Sequence, residues 1–172
     1  MILFLLALMG AVPAVDASLF CDRAIDRLVE ARFETSRRSC LAIVVEADRQ
    51  GVDRVAAVAL GYHETRLRDL PSYAGRRMLA RGVPYEALPE WVERGPLQAK
   101  PRALCPGRRA KGCDFIEAAV SHLRIQRRRS KTWEETFARY KLPNRPDFGY
   151  GSRAEGRRTR LACRLDARRC ER

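Results

Sequence analysis

The sequence predicts a mainly α-helical domain, and three observations carry that expectation. Apolar residues recur at helical spacing along most of the chain. A proline- and glycine-rich stretch over residues 70–106 interrupts them, with room for short helices or a small β-hairpin. Cys21, Cys40, Cys105, Cys113, Cys163 and Cys170 are even in number and suited to disulfide staples. A chain of 172 residues is long enough for one sizeable core and too short for two comfortable ones.

Residues 2–12, ILFLLALMGAV, form an uncharged apolar run followed by Pro13 and the small-residue site Val15-Asp16-Ala17. This reads as a secretory signal over residues 1–17, cut after Ala17 and too short to span a bilayer. No Lys or Arg precedes the run, which a basic n-region would supply. The cysteines fit export to an oxidising compartment, periplasmic or extracellular. Zinc is the competing use, but no Cys-x-x-Cys pair occurs and only 2 histidines are available, so no metal site is expected. The simplest pairing is local: 21 with 40, 105 with 113, 163 with 170.

In the mature part, Cys21, Ile25, Leu28 and Arg32 mark a first helix. Cys40, Ile43, Val44 and Ala47 mark a second, for which Ser36 or Ser39 is the candidate N-cap and Gly51 the stop. From Val52 or Asp53 a third begins, with Val52, Val55, Ala56, Ala59, Leu60 and His63 on one face. Glu64 follows at the edge of that stripe and at the negative end of the helix dipole. Both effects disfavour its charged form, so a raised pKa suited to a general acid is expected, with Arg66 and Arg68 pulling the other way. The alternative is a carboxylate in the last turn pointing into solvent.

Pro71, Pro84, Pro89, Pro96, Pro101 and Pro106 with Gly75, Gly82 and Gly95 then exclude long regular helix. Within this region lies Gly95-Pro96-Leu97-Gln98, either an ordinary exposed turn or a close backbone approach with an amide that donates and accepts. Cys105 to Cys113 encloses a basic loop. Asp114 caps a helix with Ile116, Ala119, Val120 and Leu123 buried; His122 beside them reads as structural or exposed. Thr132-Trp133-Glu134-Glu135 is a capping box, opening a helix with Trp133, Thr136, Phe137 and Tyr140 on one face. A loop, KLPNRPDFGYG, carries Phe148 and Tyr150, and the arginine-rich tail over residues 153–172 reads as a solvated extension tied down by Cys163 and Cys170.

The order of these pieces resembles the soluble lytic transglycosylase family, which shares the goose-type lysozyme fold. The family's Glu-Ser ending an Ala-rich helix is matched by Glu64-Thr65, its Gly-Leu-Met-Gln by Gly95-Pro96-Leu97-Gln98, and its aromatic-bearing helix ending in Tyr-Asn by Tyr140-Lys141. The departures are Thr65 for Ser, Pro96-Leu97 for Leu-Met, and Lys141 for Asn. The resemblance covers residues 40–152 and implies a lysozyme-like domain over residues 18–152. It implies cleavage of the β-1,4 bond between N-acetylmuramic acid and N-acetylglucosamine in peptidoglycan, with formation of a 1,6-anhydro ring and no cofactor. Glu64 would be the single general acid and base, Gln98 would hold an N-acetyl or hydroxyl group, and Tyr140 would orient the carboxyl. Thr65, Leu97 and Tyr150 would line the substrate groove. Asp69, Glu86, Glu90 and Glu93 are the nearest other acids, and none stands in a pattern that marks a second catalytic carboxylate.

Two other readings stay open: a lysozyme that hydrolyses the same bond, and a non-catalytic cationic protein that binds cell wall or membrane. The net charge of +13 favours anionic partners, such as wall polymer or a lipid surface reached through the basic tail. Nucleic acid is the weakest candidate, since no reading motif accompanies the basic clusters. A monomer is expected.

Overall fold

The structure, a computed structural model, describes residues 14–25, 33–105, 112–166 and 170. Helices α1 (Ala14–Ile25), α2 (Phe33–Gln50) and α3 (Arg54–Thr65) come first. The short α4 (Tyr73–Leu79), a 3-10 turn (Tyr85–Ala87) and α5 (Pro101–Leu104) occupy the proline-rich region. Then come α6 (Phe115–Arg128), α7 (Trp133–Lys141) and α8 (Phe148–Leu165). Among the described residues no β-strand forms. A single antiparallel bridge between Arg94 and Ala99 stands where a hairpin had room.

Helix α3 is the centre of the packing. Every residue from Val55 to Gly61 is buried, so the helix is apolar all round and lies between α2 and α8. Asp53 caps it by accepting from the Ala56 N–H at 2.9 Å. At Gly61 a Cβ would stand 2.9 Å from Leu67 Cδ2 and 3.0 Å from Ile43 Cδ1, so the missing side chain admits both neighbours. Helix α1 lies on α2 and α8, α6 bridges α2 and α7, and α7 lies along α8. Of the expected faces of α6 and α7, Ala119, Val120 and Leu123, then Thr136, Phe137 and Tyr140, are buried, while Ile116 and Trp133 are half-buried against the core. Asp114 and Thr132 cap those two helices as their sequences predict.

Several expectations shift. Ser36 and Ser39 lie inside α2, not at its start; both are buried, and the Ser36 hydroxyl donates to the Arg66 carbonyl at 3.4 Å. Most of the expected signal lies outside the described residues. A cut after Ala17 would fall within α1, where Ala17 is buried and Asp16 pairs with Arg54 at 2.6 Å. The boundary expected between residues 152 and 153 falls inside α8, whose Ala154, Leu161 and Ala162 are buried in the core. The basic tail is therefore largely a core helix with a cationic outer face: apolar residues every third or fourth position outweigh the charge content of the segment.

Disulfides join Cys21 to Cys40 and Cys105 to Cys113, each with a Cα–Cα distance of 5.9 Å. The third expected pair is not among the disulfides of the described residues: Cys163 stands half-buried within α8 as a thiol. Among the described residues no helix is long and apolar enough to cross a membrane.

Candidate functional site

Helix α3 delivers Glu64 to the floor of a cavity of about 250 Å³, with room for about one sugar unit. Arg66 and Leu67 follow with φ of 56° and 61°, so the chain turns sharply away once Glu64 and Thr65 have been presented. The Glu64 side chain keeps 9% of its surface in solvent. Its Oε1 accepts a hydrogen bond from the Tyr150 hydroxyl, and its Oε2 lies 3.9 Å from Lys141 Nζ. Burial raises the Glu64 pKa, opposed by the Lys141 ammonium and the Tyr150 bond and supported by the Glu93 charge. Desolvation wins, and the net shift is upward. Tyr150, itself pushed well above the ordinary phenol value by burial and by Glu64, stays protonated and donates.

Glu93, Gln98, Lys100, Tyr140 and Lys141 line the same cavity. Glu93 Oε1 sits 3.5 Å from Lys141 Nζ and 3.4 Å from Lys100 Nζ. Charges of alternating sign thus run Glu64, Lys141, Glu93, Lys100, and one ammonium serves both carboxylates. None of Glu93, Lys100 and Lys141 carries a sequence signal of its own. They meet because the loop before α5 folds over the end of α7.

That loop is pinned at successive residues. The Thr65 hydroxyl donates to the Pro96 carbonyl at 2.9 Å, and the Tyr140 hydroxyl donates to the Leu97 carbonyl at 2.8 Å. The Gln98 amide nitrogen donates to the carbonyls of Leu70 at 2.7 Å and Gly95 at 3.0 Å. Gly95 and Gln98 both take positive φ, 74° and 51°, and the Arg94–Ala99 bridge closes the turn. Arg94 is 2% exposed; its guanidinium donates to the Leu88 carbonyl and lies over the Tyr85 and Phe115 rings. An arginine so deep in the protein reads from sequence as surface charge, and here it fastens the loop that carries Glu93.

The residues singled out from sequence divide accordingly. Glu64 and Tyr150 make direct contact. Tyr140 and Gln98 line the cavity while spending their donors on the loop, and the Gln98 carbonyl oxygen makes no bond among the described residues. Thr65 secures the loop from behind. Leu97 is buried at 1% exposure and offers its side chain to the core. The phenol on Glu64 comes from Tyr150, not Tyr140, because α8 runs back along α3 and brings its first turn to the last turn of α3.

Of the two histidines, His63 packs behind Glu64, and His122, expected to be structural or exposed, lines the Glu64 cavity. His63 stacks edge-on against Tyr150 at 4.5 Å between centroids, and burial with nearby Arg157, Arg153 and Lys141 lowers its pKa to about 4. His122 Nε2 lies 3.3 Å from the Tyr140 carbonyl. Among the described residues no cluster of His, Cys, Asp and Glu could hold a metal ion. A larger hollow, of about 450 Å³, lies beside Cys105 and Cys113, away from Glu64. No protein-family model, no curated protein and no solved structure matches this chain.

Proposed function

We propose that the protein is an exported peptidoglycan lytic transglycosylase, with Glu64 as its acid and then its base. The observation that carries this reading is a largely buried carboxyl, its pKa raised by burial, bonded by a phenol and facing a cavity of sugar size. Protonated Glu64 gives its proton to the glycosidic oxygen as the bond to C1 of N-acetylmuramic acid breaks. The resulting carboxylate takes the proton of the C6 hydroxyl of the same sugar, and O6 closes onto C1. Lys141 and Tyr150 stabilise the carboxylate between the two steps. The open carbonyl oxygen of Gln98 suits an acetamido N–H. No cofactor is required, and the glycan strand of peptidoglycan is the partner.

One observation favours a second reading, hydrolysis by a lysozyme-type route. Glu93 shares the cavity and shares Lys141 with Glu64, so a second carboxylate is at hand to activate a water. Mass analysis of digested sacculi separates the two, since the anhydro product is lighter by one water. Glu93→Gln sharpens the comparison: it abolishes a hydrolysis that needs two carboxylates and leaves ring closure running. On either route Glu64→Gln lowers turbidity clearing of purified cell walls by about 10²–10⁴-fold. Clearing that persists unchanged in that variant leaves the third reading, a cationic wall- or membrane-binding protein without chemistry at Glu64.

A further inference from the structure

The outer face of α8 joins the end of α3 in a cationic surface that the chemistry at Glu64 does not use. Arg153, Arg157 and Arg160 stand at i, i+4 and i+7, on one face of α8 and about 10 Å end to end. The Arg157 guanidinium lies 5.2 Å from the centre of the Tyr62 ring, and Arg66 lies 5.6 Å from the same ring while donating to its hydroxyl at 3.2 Å. One tyrosine thus holds two guanidinium groups in place, which reduces the ordering cost when they grip a ligand. Arg66, Arg153 and Arg160 are exposed and Arg157 is half-buried. Among the described residues no carboxylate lies within ion-pair distance of Arg66, Arg153 or Arg157. Arg37, Arg49, Arg54, Arg139 and Arg158 have acidic partners, whereas Arg76, Arg77, Arg81 and Arg128 also have none among the described residues. What sets this group apart is the Tyr62 ring shared by two of its guanidinium groups.

We propose that Arg66 and Arg157, braced by Tyr62, together with Arg153 one turn before Arg157 on α8, form a docking surface for the peptide carboxylates of the glycan strand whose sugar enters the Glu64 cavity. Guanidinium forks match carboxylates bidentately, and three of them without acidic partners leave their charge open to an anion from outside. The anion belongs to the substrate strand, not to a separate polymer, because the surface adjoins the site. Arg66 is the C-cap of α3, two residues past Glu64; α8 carries Tyr150, Arg153 and Arg157; and His63, next to Glu64, packs edge-on against Tyr150 and feels the charges of Arg153 and Arg157. This assignment rests on the peptidoglycan reading.

The test is co-sedimentation with purified sacculi at low and high ionic strength, run with wild type, Glu64→Gln, and Arg66→Gln/Arg153→Gln/Arg157→Gln. Peptide-free glycan strands and phosphatidylglycerol vesicles serve as comparison ligands. Wild type and Glu64→Gln bind peptide-bearing sacculi equally, with affinity falling at least about tenfold at high salt. The triple variant loses about tenfold at low salt on those sacculi and little on peptide-free strands. Equal binding of wild type and triple variant to sacculi overturns the proposal. So does wild-type binding to peptide-free strands as tight as to intact sacculi, or a loss seen only on vesicles. Single Arg157→Gln and Arg157→Lys proteins, checked by thermal unfolding, give the same comparison if the triple variant does not fold; Gln weakens binding and Lys retains part of it. Binding is read without turnover, so clearing by Glu64→Gln would sink the catalytic reading and leave this surface standing.

Discussion

At the scale of single residues, the working pH of Glu64 is set by two opposed neighbours. Lys141 favours its carboxylate and Glu93 disfavours it, while burial outweighs both and keeps the pKa raised. A general acid is lost as pH rises through its pKa, so Glu64 governs the alkaline limb of the rate profile. Lys141→Gln removes the positive charge, raises the Glu64 pKa further and moves that limb to higher pH. Glu93→Gln removes the negative charge and releases Lys141 toward Glu64, so its limb moves to lower pH. Rates against pH on soluble muropeptide, with the Glu64 carboxyl followed by carbon NMR, check both directions. Shifts of the same sign in the two variants would break the assignment. The other groups facing this carboxyl are Tyr140 and Tyr150, both held neutral by burial, together with Lys100 across Glu93.

At the scale of elements, the contact between α7 and α8 decides where Tyr150 stands. Gly151, the next residue, has no space for a side chain: a Cβ would lie 2.3 Å from the Glu134 carbonyl oxygen and 3.1 Å from the Ala138 nitrogen. Backbone occupies that position and cannot rotate aside. Gly151→Ala therefore pushes the helices apart, destabilising by roughly 1–3 kcal/mol in thermal or denaturant unfolding despite the better helix propensity of alanine. The same displacement draws Tyr150 off Glu64, so kcat falls more than the fraction of folded protein. A Gly151→Ala protein with wild-type stability and activity would show that this close approach is not required. The turn from Gly95 to Gln98 is the other fixed element, held by Thr65, Tyr140 and its own bridge so that Glu93 meets Lys141.

At the scale of the whole molecule, a single apolar cluster runs from Ala17 to Ala162, and the buried Cys21–Cys40 disulfide fastens α1 to α2 within it. The bridge spans 19 residues of sequence, including segment 26–32. Replacing both cysteines by alanine lowers stability by about 2–4 kcal/mol, measured by denaturant unfolding under oxidising conditions. Strong reductant cuts the Cys105–Cys113 bond in both proteins as well, so under it the difference between wild type and double variant narrows. Equal unfolding midpoints of the two proteins without reductant would contradict the role given to the bridge.

The sequence by itself determined the helical class, the core faces of α6 and α7, and the caps at Asp114 and Thr132, and it singled out Glu64 at the end of α3. Those properties are local, since side-chain periodicity and capping chemistry act within a turn or two of helix. It also nominated the two disulfides that formed, whose cysteines are close in sequence. Only the tertiary structure decided that Tyr150, 86 residues from Glu64, supplies the phenol, and that Lys141, Glu93 and Lys100 share its cavity. It likewise turned the basic tail into a core helix with an arginine face. Periodicity reports which side of a helix is buried; it does not report which helix lies against that side, or at what height. That register is set by close backbone approach, here at Gly61 and Gly151, and by buried groups such as Arg94.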